Sequence, residues 1–304
     1  AGQRLAIRLI TNMINIADEQ DYKDTLQFYS DAFNKLLHNT ESDKNLIAEA
    51  LLLPKESYLS GFFNPVNPIA IHNSRRSLMK RLAEIHQNDL WDLYQNLLQP
   101  DYKIDSTSIG KRSLRNVCLN YLVTLGTEEA IEAAYEQFKK SNNMTDVMAA
   151  LGSLVNIDCP ERVKALAAFY DKWKKDILVV DKWLSLQALS RLPDTLDHVK
   201  KLKKHEAFNM QNPNKVRSLI GAFCHGNLAG FHQANGEGYH FLAQNVLSLD
   251  ELNPQIAARL LSPLTQWRRY DSARQAQMKE QLKRVLKQKN LSKNVYEIAE
   301  KGLV

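Results

Sequence analysis

The chain has 304 residues, 44% of them apolar and 24% charged, with only 11 glycines. That is the composition of a folded soluble protein and excludes disordered and collagen-like classes. Its formal charge of +6 is carried by one end, since residues 257–304 hold 11 Lys/Arg against 4 Asp/Glu and the remainder holds 29 against 30.

No apolar run approaches the roughly 18 residues of a membrane span. The first residues carry Arg4 and Arg8 where a signal peptide needs a continuous apolar stretch. Three widely spaced cysteines, Cys118, Cys159 and Cys224, form no C-x-x-C pair and read as buried thiols of a reducing compartment. A cytoplasmic location is the expectation. The abrupt start at Ala1-Gly2-Gln3 without an initiator Met reads as a fragment of something longer. No Gly, Ser or Pro-rich linker marks a boundary, so residues 1–304 are expected to form a single α-helical domain.

Helical periodicity starts early: Leu26, Tyr29, Phe33, Leu36 and Leu37 share one helix face. Amphipathic segments follow at about 43–53, 74–98, 106–125, 128–140, 145–155, 160–175, 180–190 and 194–205. Further ones fall at about 213–224, 237–247, 254–267, 272–288 and 292–302, and no alternating run argues for a strand. Ser42, Ser74, Thr127, Thr145, Asp271 and Ser292 are the expected caps, with Pro160 just inside its helix. Helices recurring every ~20 residues with short loops predict stacked helix pairs with a period near 40, an all-α solenoid of the armadillo/HEAT kind.

Two segments stand out. Asn212-Pro213-Asn214-Lys215-Val216-Arg217 is echoed 41 residues later by Asn253-Pro254-Gln255-Ile256-Ala257-Ala258-Arg259. Asn is a favoured N-cap and Pro suits the first helical position, where its missing N–H costs nothing. Each segment therefore predicts a helix start that aims an arginine about one turn in. From the residues alone, Arg217 and Arg259 read more readily as ion-pairing residues of a solenoid than as ligand-binding ones.

The chain carries no His-Glu-x-x-His. The nearest approach, His205-Glu206-Ala207-Phe208-Asn209, has Asn in the second ligand position and reads as a polar helix end. His225, His232 and His240 are placed in or beside a glycine-containing loop and assigned no metal. There is no nucleophile elbow, no phosphate-cradling loop and no dinucleotide fingerprint. The basic C-terminal stretch, with Trp267, Arg268, Arg269, Arg274, Lys283, Arg284, Lys287 and Lys289, reads as the solvated face of helices rather than a nucleic-acid grip.

Taken together with Lys111-Arg112-Ser113-Leu114-Arg115-Asn116, Asn142-Asn143-Met144-Thr145-Asp146, Asp181-Lys182-Trp183 and Arg269-Tyr270-Asp271, the two Asn-Pro segments resemble landmarks of the C-terminal helical domain of bacterial aminopeptidase N. That family consists of gluzincin zinc metallopeptidases. The resemblance spans nearly the whole chain. It implies a right-handed superhelical array of helix pairs that packs over an upstream catalytic domain and encloses the chamber where N-terminal residues are removed from peptides. It also implies that Arg217 and Arg259 line the route to the zinc site and that Gln255 reaches the pocket for the substrate's first side chain. Zinc and its ligands would belong to the upstream catalytic domain, and this chain alone would be inactive. The alternative is a freestanding HEAT-like scaffold that docks proteins or nucleic acid on its basic C-terminal helices.

Overall fold

The computed structural model describes residues 2–15, 19–99 and 101–304. Among them there is no strand, and the one β-bridge, Val66 to Tyr270, is isolated. Contacts divide the chain into two compact units, Ala1–Leu59 with Ala70–Ala168, and Ser60–Ile69 with Phe169–Val304.

The first unit is organised on the helix Ser106–Thr124, which packs against Lys44–Leu51, Gln87–Asn96 and Met144–Leu154. Its central place follows from its sequence: Leu114, Cys118, Leu119, Leu122 and Val123 recur at helical spacing and are all buried. Asp105 caps it by accepting from the Ser108 N–H. Tyr121 is fully buried and donates its hydroxyl to the Leu51 carbonyl at 2.6 Å, which meets the requirement that a buried polar group find a partner. The hairpin of Glu128–Lys140 and Met144–Leu154 completes this side.

In the second unit Ile177–Ala188 packs on the segment 213–226, Glu237–Asp250 on Pro254–Leu260, and Lys293–Leu303 on both Pro254–Leu260 and Ser272–Leu286. Phe223 makes edge contacts with Phe231 and Phe241, ring centroids 6.3 and 6.0 Å apart, and forms an aromatic node of this core.

Most predicted helices are present, with informative differences. The expected 74–98 helix is two, Pro68–Ile85 and Gln87–Asn96. It breaks at His86, whose ring bonds the buried Ser30 hydroxyl at 2.8 Å. Ser74 is therefore a buried residue inside the first of these helices, not a cap, and that helix opens at Pro68, six residues before the expected start. The caps expected at Ser42 and Thr145 are supplied instead by Asp43 and Asn143, whose side-chain oxygens accept from N–H groups two or three residues on. Thr127, Asp271 and Ser292 cap as predicted. Helices Gly2–Asn15, Glu56–Leu59 and Leu228–Phe231 are additional.

All three cysteines are free thiols. Cys118 and Cys224 are buried, and burial pushes the Cys118 thiol up to about 12 and that of Cys224 well above its ordinary value. No helix of the described residues is long and apolar enough to cross a membrane.

Candidate functional site

Both Asn-Pro starts form as the sequence dictates. The Asn212 side chain accepts from the N–H groups of Asn214 (2.9 Å) and Lys215 (3.4 Å), and that of Asn253 accepts from Ile256 (3.1 Å). Past the caps the two diverge. Pro254–Leu260 is α-helical, whereas Pro213–Val216 is a single α turn that passes into a π-helix over Arg217–Gly226. A π-helix widens each hydrogen-bonded ring to i→i+5, is rarely longer than one turn, and is found frequently at functional sites. Ten residues of it in the segment that carries Arg217 is a feature no sequence pattern announced.

The structure brings Arg217 and Arg259 to one open pocket of about 450 Å³. Its apolar walls include Leu189, Val216, Ile256 and Leu260, and His225 stands on its rim with Nδ1 near the Gly221 carbonyl (3.1 Å) and Nε2 near the Ser262 hydroxyl (3.2 Å). Arg217 is exposed and donates from Nη1 to the Asn214 side-chain oxygen at 3.1 Å. Arg259 is exposed as well, and neither arginine pairs with an acid among the described residues. Arg259 also lines an adjoining pocket of about 600 Å³ with Arg268, Lys301, Ser262 and Thr265, to which no acidic side chain contributes. Gln255 is exposed one residue before Ile256 and lies outside the lining of both pockets.

The arrangement suits anionic or carbonyl oxygens. Two guanidiniums without carboxylate partners, over an apolar floor, offer forks of N–H donors and fixed positive charge. Its one serine–histidine contact, Ser262 with His225, has a backbone carbonyl rather than a carboxylate behind the imidazole, because His225 Nδ1 faces the Gly221 carbonyl. Of the contributors, His225 and Ser262 escaped sequence reasoning as pocket residues. The usable signal was the spacing of His225 eight residues after Arg217 in a run without a helix break.

The other histidines are structural. His232 is buried, stacks on Tyr270 with ring centroids 4.2 Å apart and bonds the Tyr239 hydroxyl at 2.9 Å. Burial pulls it down to about 3, Arg274 and Arg269 pull the same way, and Asp271 opposes them. His240 is exposed and takes a hydrogen bond from Arg284. His205 sits in a turn against Tyr170 and Trp183, while Glu206 accepts the Tyr170 hydroxyl. Among the described residues no three His, Cys, Asp or Glu side chains stand close enough to share a metal ion.

Many of the C-terminal cations are engaged inside the fold. Arg268 and Lys279 lie 4.1 and 4.5 Å from the Trp267 ring, Arg274 pairs with Asp271 at 2.6 Å, and Arg269 donates to the Ser60 carbonyl and hydroxyl. Cations held this way are poor reporters of a nucleic-acid face.

Comparison with known proteins agrees with this architecture. A family model described as "Domain of unknown function (DUF3458_C) ARM repeats" matches residues 1–304. The chain is 39% identical over 274 residues to aminopeptidase N of Escherichia coli K12, covering 90% of this chain and 32% of that protein. Its identity to aminopeptidase N of Caulobacter vibrioides is 36% over 305 residues, covering 100% of this chain and 35% of that one. The solved structure of Legionella pneumophila aminopeptidase A in complex with aspartic acid superposes with a TM-score of 0.89 at 32% identity, over 99% of this chain and 36% of that chain. The chain thus spans about a third of the length of the relatives it matches.

Proposed function

The chain belongs to the DUF3458_C family of armadillo-type repeats and is similar to the C-terminal domain of bacterial aminopeptidase N, and from that premise we propose that it is one domain of a zinc aminopeptidase. In this reading it closes the chamber of an upstream catalytic domain and controls the entry of peptides. The hydrolytic step and its zinc belong to that upstream domain.

The observation that carries this reading is the convergence of Arg217 and Arg259, unpaired and exposed, on one pocket with apolar walls. A cation whose role is to hold a solenoid together finds a carboxylate within the fold. These two instead present free donors to whatever enters, and the carbonyl oxygens and C-terminal carboxylate of a peptide are the acceptors they fit. Gln255, exposed at the mouth of the same helix start, is assigned to the substrate's first side chain.

Substitution in the full-length parent enzyme tests the assignment. A charge-assisted hydrogen bond contributes about 1.5–3 kcal/mol, so Arg217→Ala or Arg259→Ala should lower kcat/KM for a tetrapeptide by about 10- to 150-fold with metal content intact. Aminoacyl amides, too short to reach the pocket, should lose much less, and Gln255→Ala should shift preference among first residues. Equal losses on short and long substrates would sink the assignment.

A further inference from the structure

The first unit holds a pocket of its own, of about 320 Å³, between Gln87–Asn96, Ser106–Thr124 and the hairpin 128–154. Its size is at the small end of ligand sites. Two guanidiniums form one wall. Arg112 is 7% exposed and Arg115 8% exposed, so both charges have been taken out of bulk water. Arg112 donates from Nη1 to the Lys103 carbonyl (2.7 Å) and lies 4.8 Å from the Tyr102 ring, while Arg115 donates from Nε to the Tyr94 carbonyl (3.1 Å) and lies 4.3 Å from the Tyr94 ring.

These contacts fix the two planes but leave them unneutralised. Neither arginine pairs with a carboxylate among the described residues, and the Arg112 Nε and the side-chain carbonyls of Gln99 and Gln137 are buried with no hydrogen-bond partner. Buried charges without counter-charge are costly, and native structures rarely leave them so without a ligand or a role.

The opposite charge is present in the same pocket and is also unmatched. Asp146 is 7% exposed, and its carboxylate accepts from the side-chain amides of Asn116 and Asn143, each at 2.9 Å, and pairs with no cation among the described residues. Glu136, by contrast, is already matched by Lys139 and Lys140. Asp101 also lines the pocket but is exposed to water, so the buried charges left open are the two forked donors and the Asp146 carboxylate, with Leu97 and Tyr94 supplying apolar surface.

We propose that this pocket binds a small zwitterion, a free α-amino acid, with Arg112 and Arg115 holding its carboxylate and Asp146 its ammonium group. Planar guanidiniums match a carboxylate bidentately, and an ammonium placed beside Asp146 supplies the counter-charge that the amides do not. The argument rests on these residues alone and is independent of the reading of Arg217 and Arg259.

Isothermal titration of the 304-residue chain with three probes tests it. L-Leucine has both charges, 4-methylpentanoate lacks the ammonium, and L-leucinamide lacks the carboxylate. Leucine should bind saturably with one equivalent, and each of the other two about tenfold or more weakly. Arg115→Lys keeps the charge and removes the fork, and should weaken leucine by about tenfold. Asp146→Asn should abolish the preference for leucine over 4-methylpentanoate. Circular dichroism checks that each variant folds, and where Arg115→Lys fails that check the Asp146→Asn preference decides. No saturable leucine binding at millimolar concentration, equal binding of leucine and 4-methylpentanoate to the wild type, or wild-type affinity in folded Arg115→Lys would each overturn the assignment.

Discussion

The two proline-started segments begin alike and end differently. In each an asparagine side chain satisfies free N–H groups, a proline fixes the first turn, and an arginine emerges four or five residues later into a shared pocket. After Val216 the first segment opens into ten residues of π-helix, and after Leu260 the second steps through the short helix Ser262–Thr265 into Trp267–Arg269. Capping chemistry is local, acting over three residues, so it repeats wherever its residues repeat. The hydrogen-bond register beyond the cap depends on what the helix packs against, and here the partners differ: Ile177–Ala188 for the first segment, Lys293–Leu303 for the second. A repeated motif thus guarantees a repeated start and a repeated direction for its arginine, and nothing further along.

The largest test of this contrast lies in the close approaches that hold each segment's surroundings. Beyond the first segment, a Cβ on Gly238 would sit 2.2 Å from the Phe231 carbonyl oxygen, which is backbone and cannot move alone. Beside the second, a Cβ on Gly302 would meet the Thr265 Cγ2 at 2.7 Å and Cβ at 3.1 Å, a side chain and not backbone, near the end of the helix Lys293–Leu303. Gly238→Ala should therefore destabilise the protein by about 3 kcal/mol or more. Gly302→Ala should cost about 1–2 kcal/mol, because a side chain and a helix end can give where backbone cannot. Urea unfolding measures both, and equal midpoints would show that the Phe231 backbone yields as readily as the Thr265 side chain.

A smaller effect joins the downstream ends of the two segments, where His232 stacks on Tyr270. His232 is held to about 3 by burial, with Arg274 and Arg269 adding to the effect, against an ordinary value near 6.5. A depressed histidine means the unfolded chain binds the extra proton first. The contribution to stability is thus complete above about pH 6.5 and is lost progressively as pH falls toward 3. By pH 4 the loss should be about 3 kcal/mol, and His232→Gln should flatten the acid limb of the stability profile while lowering stability at neutral pH. An unchanged acid limb in the variant would place the proton uptake elsewhere.

Helical class, most helix positions and the arginine direction were legible because periodicity and capping act within one or two turns. The break at His86 was not, since it answers to Ser30, 56 residues away in sequence. Nor was the π-helix, because Arg217–Gly226 contains no proline or cap that marks a change of register. The burial of Arg112 and Arg115 had a faint signature in their i, i+3 spacing beside Leu114 and Cys118, which puts two cations on one helix face next to apolar neighbours. Only the surrounding helices make that face a pocket wall.

The smallest prediction returns to the caps. Asn212→Ala and Asn253→Ala should each lower stability by about 1 kcal/mol, the usual cost of an N-cap side chain. Replacement by Asp should restore that loss, since aspartate caps as well as asparagine and its charge favours a helix N-terminus. The two sites should differ in what else they disturb. Asn212 orders the turn containing Asn214, whose side-chain oxygen holds the Arg217 guanidinium. Loss of the Asn212 cap should therefore loosen Arg217 and weaken tetrapeptide turnover in the full-length enzyme, whereas Arg259 has no such tether and Asn253→Ala should leave turnover close to wild type. Thermal unfolding of the cap variants reads the first effect, and tetrapeptide kinetics the second. Equal kinetic losses in both would mean that the Asn214 bond does not position Arg217, and that the pocket takes its geometry from the helices alone.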